Sequence, residues 1–282
     1  MRSLQLVLTS ILTFILIFEA HAEEPKISTS FVSGLIEQPI ISSIYRDEIG
    51  LLWIGTQEGL YRFDGTKVTI FNSEKTNKNW ISSSHVRGII EAPNGNMIIA
   101  ALDGDIIEIT RTSGDIETII RLNSNISLFQ ETNGGRVWIT SDDKIFSYNQ
   151  ALRKATPWAS IPKMQGEAGE IYALLESSSR DLYVGSNLGL SKVDSEGTVS
   201  KTIGIDKLGL PDFAKVSALA FDPSGNLIVG SSTGHITILN SVTHKLIKQK
   251  KIEGKTPKYI SKILPYKNSL LIGTDKGLLR TD

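Results

Sequence analysis

The sequence predicts an all-β fold, a β-propeller of four-stranded antiparallel blades. Three observations carry that prediction. One pattern of turn, apolar run, second turn and alternating run recurs six times along the chain. Its period, 40 to 45 residues, is that of a propeller blade. No long stretch shows the apolar spacing of a helix.

The first unit is the clearest: "SSIYRDEIGLLWIGTQEGLYRFD", Ser42 to Asp64. Further units run from Val86 to Ile109, Ile126 to Asn149, Ile171 to Asp194, Val216 to Asn240, and from Ile260 onward. Gly55, Ala100, Thr140, Gly185, Gly230 and Gly273 occupy equivalent positions, separated by 45, 40, 45, 45 and 43 residues.

Each unit decodes into strands in order. A short β-rich run such as Ser43 to Tyr45 comes first. A turn follows ("RDEIG", "APNG", "TNGG", "DPSG") whose Asp, Asn and Gly residues supply positive φ and side-chain hydrogen bonds. The next run, "LLWIG" or "NLIVG", is apolar without interruption, which implies burial on both faces. A second turn ("TQEG", "SNLG", "STGH") leads to a third strand. A more polar fourth run closes the unit, as in Lys67 to Phe71, Asp115 to Arg121 and Lys245 to Lys251. Leucine-rich repeats are too short for this period, and paired-helix repeats would show 3.6-residue spacing. One blade cannot bury its own faces; copies stacked around an axis can.

Six repeats are compatible with a closed six-bladed ring or with part of a seven-bladed one. In the closed ring, "KISTSFV", Lys26 to Val32, alternates polar and apolar residues and would supply the outer strand that the sixth unit lacks. In the larger ring, the chain is its front portion.

Composition narrows the function. The chain has 282 residues, with 30 basic and 30 acidic side chains and no net charge. A whole-protein attraction to nucleic acid is not expected. The absence of cysteine excludes disulfides, thiolate metal sites and a cysteine nucleophile. At the N-terminus, Arg2 precedes "LVLTSILTFILIF", Leu6 to Phe18, and then Ala20-His21-Ala22. Charge, short apolar run and small-residue site form a secretory signal peptide over residues 1–22, with cleavage after Ala22. The alternative is an uncleaved anchor, although thirteen residues fall short of the roughly 20 that span a bilayer. Residues 23–282 then form the β-propeller domain, which should lie outside the cytoplasm.

Candidate ligand residues come from the links between blades, where function concentrates. Asn72 to His85, Lys154 to Glu170 and Gly204 to Lys215 are long; Glu253 to Tyr259 is short. They carry Trp80, Trp158, Phe213 and Tyr259, whose ring faces suit sugars or other flat ligands, or alternatively pack the loops onto the blades. His85 and Arg87 enter the second inner strand and complete the candidate set; for His85 a structural hydrogen bond is the competing reading. No metal and no cofactor are expected. Asp103-Gly104-Asp105 and Asp142-Asp143 lack the spacing of a calcium-binding loop and read as turn residues. Lys245, Lys248, Lys250, Lys251, Lys255 and Lys258 read as guards of an exposed strand edge, or as a surface for an anionic partner. No Gly-x-Ser-x-Gly elbow is present, and the histidines of the exported chain, His85, His235 and His244, are far apart in blade register.

The stretch "SSIYRDEIGLLWIGTQEGLYRFDG" resembles the repeat of the two-component regulator propeller family: an apolar strand, Asp-x-x-Gly, Leu-Trp-Ile-Gly-Thr, then Gly-Leu and an aromatic before Asp. "VGSNLGLSKVD" and "IGTDKGLLRTD" match it too, whereas Ala100, Thr140, Lys144, Ile98 and Ile228 depart from it. The resemblance implies a periplasmic sensor module of a bacterial histidine kinase or diguanylate cyclase receptor. It further implies a small-molecule or saccharide ligand, downstream receptor domains or a membrane signalling partner as partners, and no catalysis by the propeller itself. Nucleic acid is not an expected partner; a homodimer is compatible with the module. Two other readings stay open: an exported scaffold that binds protein, and a propeller lyase or hydrolase.

Overall fold

A computed structural model describes residues 40–74, 79–163, 166–167, 169–252, 259–267 and 269–281. The leader, Lys26 to Val32, Lys255 and Lys258 lie outside these residues. The described chain is all-β, apart from one 3-10 turn over Asp206–Leu208.

Among the described residues, twenty-three strands form six antiparallel sheets in chain order. The first blade is β1 (Ile41–Arg46), β2 (Leu52–Thr56), β3 (Leu60–Phe63) and β4 (Val68–Phe71). The second is β5 (Val86–Glu91), β6 (Met97–Ala101), β7 (Asp105–Ile109) and β8 (Ile116–Arg121). The third is β9 (Leu128–Glu131), β10 (Val137–Ser141), β11 (Lys144–Asn149) and β12 (Lys154–Ser160). The fourth is β13 (Ile171–Glu176), β14 (Leu182–Ser186), β15 (Gly189–Val193) and β16 (Val199–Gly204). The fifth is β17 (Val216–Phe221), β18 (Leu227–Ser231), β19 (His235–Leu239) and β20 (Leu246–Lys251). The sixth blade shows three strands among the described residues: β21 (Ile260–Tyr266), β22 (Ser269–Thr274) and β23 (Gly277–Thr281). The inner strands of all six blades line one central channel, so the molecule is a six-bladed β-propeller.

The uninterrupted apolar runs are explained by position. Every residue of β6, β10, β14 and β18 is buried. These second strands are sandwiched between neighbouring blades, whereas the outermost β20 is largely exposed and carries Lys248, Lys250 and Lys251. The turn before each second strand is built from side chains. In the first blade Asp47 is buried; one carboxylate oxygen accepts from the Leu51 amide (2.8 Å) and the other from Trp53 Nε1 (2.9 Å). Gly50, at φ +91°, completes that turn, a conformation glycine adopts without steric cost. Asp222 repeats the device in the fifth blade, accepting from Asn226.

Blades adhere through five apolar clusters, one at each interface from first–second to fifth–sixth. A recurring joint organises several of them. An apolar residue at the start of one inner strand drops onto the glycine of the preceding blade's second strand. A methyl built at Gly55 would lie 2.5 Å from Val86 Cγ1, and one at Gly185 would lie 2.6 Å from Val216 Cγ1. Only glycine lets the blades approach so closely. The next residue of the inner strand is an extra one, where the register with the second strand shifts. It is Ser42, Arg87, Tyr172, Ser217 or Ser261, and it faces the channel. Ser42 and Ser217 use it to donate to the next blade, to the Val86 and Ile260 carbonyls, each at 2.6 Å.

Candidate functional site at the channel mouth

The inner strands begin at one face of the ring, so the residue before each strand and its extra residue stand at the channel mouth. His85, Glu170, Lys215 and Tyr259 share the first of these positions. Their backbones are held by the turn between second and third strands of the same blade. Leu102 N donates to His85 O (2.8 Å), Ser232 N to Lys215 O (2.9 Å) and Tyr259 N to Asp275 Oδ1 (2.9 Å). Glu170 is clamped through Asn187 Oδ1, which accepts its amide at 2.7 Å. A polar set on four blades is therefore positioned by main-chain bonds.

The side chains connect across the mouth. Tyr172 donates to Glu170 in a short hydrogen bond. Lys215 Nζ donates to the Tyr172 hydroxyl at 2.5 Å and lies 4.4 Å from the centre of its ring. Burial, then the Glu170 hydrogen bond, raise the Tyr172 phenol well above its usual range. Burial also raises Tyr259, which bonds Ser217. Both tyrosines therefore stay protonated at neutral pH, and the one hydroxyl proton of Tyr172 is committed to Glu170. Burial, then the charge of Arg87, hold His85 below its usual value, which leaves its imidazole neutral. Burial lowers Arg87, and Glu170 partly offsets this.

One short segment stands out for what it leaves unmade. Ser82 Oγ, His85 Nε2 and Arg87 Nε are buried and have no hydrogen-bond partner among the described residues. Leaving such groups unsatisfied costs about 1–3 kcal/mol each. Arg87 lines the central cavity, whose volume is about 510 Å³ and whose wall also includes Tyr172, Ser217 and Lys262.

The structure places three of the six sequence candidates at the mouth: His85, Arg87 and Tyr259, with the charge of Glu170 acting on Arg87 and Tyr259. The other three stand apart. Trp80 (37% exposed) and Phe213 (77% exposed) sit on links of the mouth face without lining the cavity. Trp158 belongs to the outer strand β12, not to a link; its ring stacks 4.5 Å from that of Trp138, with Arg136 over both. Glu170, Tyr172, Lys215 and Ser217 were not singled out from the sequence. Their signal was register: each occupies the position of His85 or Arg87 one or more repeats later. The histidines are dispersed, with His235 bonded through Nδ1 to Thr233 Oγ1 (2.9 Å). Among the described residues, no group of three or more His, Asp or Glu side chains is placed to hold a metal ion.

Residues 34–58 match the two component regulator propeller model. The match covers β1, the Asp47 turn and β2, so the first blade carries that family's repeat. No curated protein matches the chain in sequence. Among solved structures, the fold is similar to the extracellular domain of a hybrid two component system from B. thetaiotaomicron, with a TM-score of 0.68 and 19% identity over 88% of this chain and 34% of that one. A second such domain from the same organism has a TM-score of 0.57 and 16% identity over 86% of this chain and 38% of that one. Virginiamycin B lyase from Staphylococcus aureus shares the fold at a TM-score of 0.61 and 12% identity, over 87% of this chain and 85% of that one. The chain thus spans about a third of the length of the two-component domains it resembles.

Proposed function

We propose that this propeller is a periplasmic, ligand-sensing input module of a bacterial two-component or cyclase receptor, without catalytic chemistry of its own. The observation that carries the reading is the Ser82–Arg87 segment, with three unsatisfied polar atoms beside a channel mouth ringed by Lys215, Tyr172 and Tyr259. A small molecule with an anionic group and several hydroxyls, such as an acidic saccharide, would meet a guanidinium, an ammonium and two phenol hydroxyls there. Arginine matches a carboxylate bidentately, which adds specificity to charge. The repeat in the first blade and the likeness to two-component extracellular domains support the sensor role. Export through residues 1–22 would place the mouth outside the cytoplasm. Ligand at the mouth would bias how the blades pack against downstream receptor domains, a membrane signalling partner or a second copy.

The test is thermal denaturation of the purified protein against neutral and uronate-containing oligosaccharides. At a hundredfold excess over Kd, one site adds about 2.7 kcal/mol. For a domain of this size that raises Tm by roughly 5–10 °C. The Arg87→Met variant should lose the shift. A panel without any shift, together with a stable protein partner recovered by cross-linking, would favour the scaffold reading instead.

A further inference from the structure

The face of the ring opposite the mouth carries a hollow of its own. Antiparallel strands alternate in direction, so the turns after each first and third strand share that face. Three neighbouring blades supply the wall: Tyr45 and Glu48 from the first, Glu91 from the second, and Glu131, Tyr148 and Gln150 from the third, around a volume of about 430 Å³. The Glu48 amide donates to Glu91 Oε2 (3.0 Å), which fastens the first blade's turn to the second. Among the described residues, no lysine, arginine or histidine lines the hollow, and neither Glu48 nor Glu131 has an ion-pair partner. Burial first, then the charges of Glu91 and Glu131, raise the Tyr45 phenol above its usual range, so the carboxylates gather around one ring.

The register singles out Glu131. It closes its inner strand opposite Val137, as Glu91 does opposite Met97 and Glu176 opposite Leu182. Each of the other two glutamates holds a guanidinium at 2.8 Å, Arg111 on Glu91 and Arg136 on Glu176. Arg136 also lies over the Trp138 ring, 4.7 Å from its centre. Glu131 is the same carboxylate without the cation. A second observation is independent of charge. Tyr148 is 4% exposed and lines the hollow, and its hydroxyl has no hydrogen-bond partner among the described residues; Gln150 Oε1 is buried and lacks one too. Buried polar groups are ordinarily paired. The charges that act on Tyr148, Glu108 and Arg153, are 2.6 Å apart and offset each other.

We infer that this hollow is a second binding site, separate from the mouth, and that it takes a guanidinium group. The planar fork of N–H donors engages a carboxylate with two bonds and leaves further donors for the Tyr148 hydroxyl and Gln150 Oε1. Tyrosine rings supply faces on which such a plane stacks. A single metal ion is a poor match, since no three His, Asp or Glu side chains among the described residues are placed to hold one. The guanidinium arrives either on a free alkylguanidine or on an arginine side chain of a partner protein; the chemistry of recognition is the same. The site does not depend on the mouth, because Arg87, Tyr172 and Lys215 are not part of its wall.

Calorimetric titration of the 282-residue protein with agmatine tests the site. The control is N-carbamoylputrescine, which keeps the ammonium and replaces the guanidinium by a neutral urea. Agmatine should bind and the urea should not. Glu131→Gln should weaken binding by roughly tenfold or more, as expected for a lost hydrogen bond between charged groups. Tyr148→Phe should weaken it several-fold. Neither change should lower the Tm of the unliganded protein, since the Glu131 side chain is exposed and the Tyr148 hydroxyl is unpaired. Arg87→Met should bind agmatine as the unaltered chain does. An acetylated Ala-Arg-Ala amide identifies the source: binding as tight as agmatine's assigns the site to an arginine of a protein partner, and weaker binding assigns it to a free alkylguanidine. No binding of either guanidinium probe at millimolar concentration, equal binding of the urea, or full affinity in Glu131→Gln would overturn the inference. Loss of binding in Arg87→Met with Glu131→Gln unaffected would overturn it in favour of the mouth.

Discussion

Replacing Gly185 and Gly273 separately by alanine places the same methyl at the same register in two blades and should give opposite results. At Gly185 the added carbon lies 2.6 Å from Val216 Cγ1 and 2.7 Å from the Val216 carbonyl oxygen. The carbonyl cannot rotate away, so the fourth and fifth blades must separate along β13 and β17. Such overpacking costs about 1–3 kcal/mol. Removing a strand glycine returns about 0.5–1 kcal/mol through the unfolded chain. The net expectation is a loss of about 1–2 kcal/mol, or roughly 2–8 °C in Tm for a domain of this size. At Gly273 the nearest atom is Ser261 Oγ at 3.1 Å, a side chain that can turn aside. Gly273→Ala should therefore lie between neutral and about 0.5 kcal/mol more stable. Urea denaturation of both variants in the 282-residue chain, followed by tryptophan fluorescence, measures the difference. Equal destabilisation would mean that Gly273 packs against a neighbouring blade as Gly185 does, and the account of the blade joint would be wrong.

Three further outcomes follow from particular contacts. Arg87→Met should leave the protein as stable or slightly more stable, since the guanidinium it removes is half-buried with an unpaired Nε, while ligand binding is lost; urea midpoints and calorimetric titration separate the two effects. Glu176 is buried between Thr132 and Arg136, 2.8 Å from the guanidinium, so Glu176→Ala should cost about 3–5 kcal/mol, and the double change with Arg136→Met should cost much less by the same denaturation assay. Burial first, then nearby cations, hold His85, His235 and His244 below their usual values. Their contribution is complete above about pH 6.5 and is lost as pH falls toward the lower folded values, because the unfolded chain takes up protons first. The slope is at most about 1.4 kcal/mol per pH unit for each histidine. Urea midpoints at pH 7.5 and 5.5 should differ less in the variant with all three changed to glutamine.

Much of the fold was legible because burial on both faces leaves an unmistakable trace. "LLWIG" and "NLIVG" could be read as second strands, since nothing else explains an unbroken apolar run, Leu51 to Ile54 or Leu227 to Val229, between two turns. The Asp47 turn was legible for a similar reason, as the residue types are dictated by positive φ and by the amides to be bonded. What the sequence could not show was which inner-strand heads a neighbouring blade covers. Ile41 and Val216 look alike in their strands, and only the neighbouring blade decides that one is half exposed and the other buried. The departures at Ala100 and Thr140 were likewise uninformative alone. Thr140 keeps its fold by using its hydroxyl, which bonds Ser127 Oγ at 2.7 Å and the Leu128 amide at 3.0 Å.

The candidate site divides along the same line. Choosing aromatic residues from link sequences selected side chains by type, and type does not report direction. Trp158 satisfied the type and belongs to an outer strand, where its area packs on Trp138. Choosing His85 and Arg87 used position in the repeat, and position does report direction: the residue before an inner strand and the extra residue in it both reach the mouth. Applying that rule to every repeat yields Glu170, Tyr172, Lys215, Ser217 and Tyr259 without further assumption. In a ring of near-identical blades, the shared residues build the walls and are held by packing against neighbours. The positions free to differ, because they face only the channel, can carry recognition. A guanidinium, an ammonium, a carboxylate and two phenols at such positions are the chemistry on which the proposed ligand mouth rests.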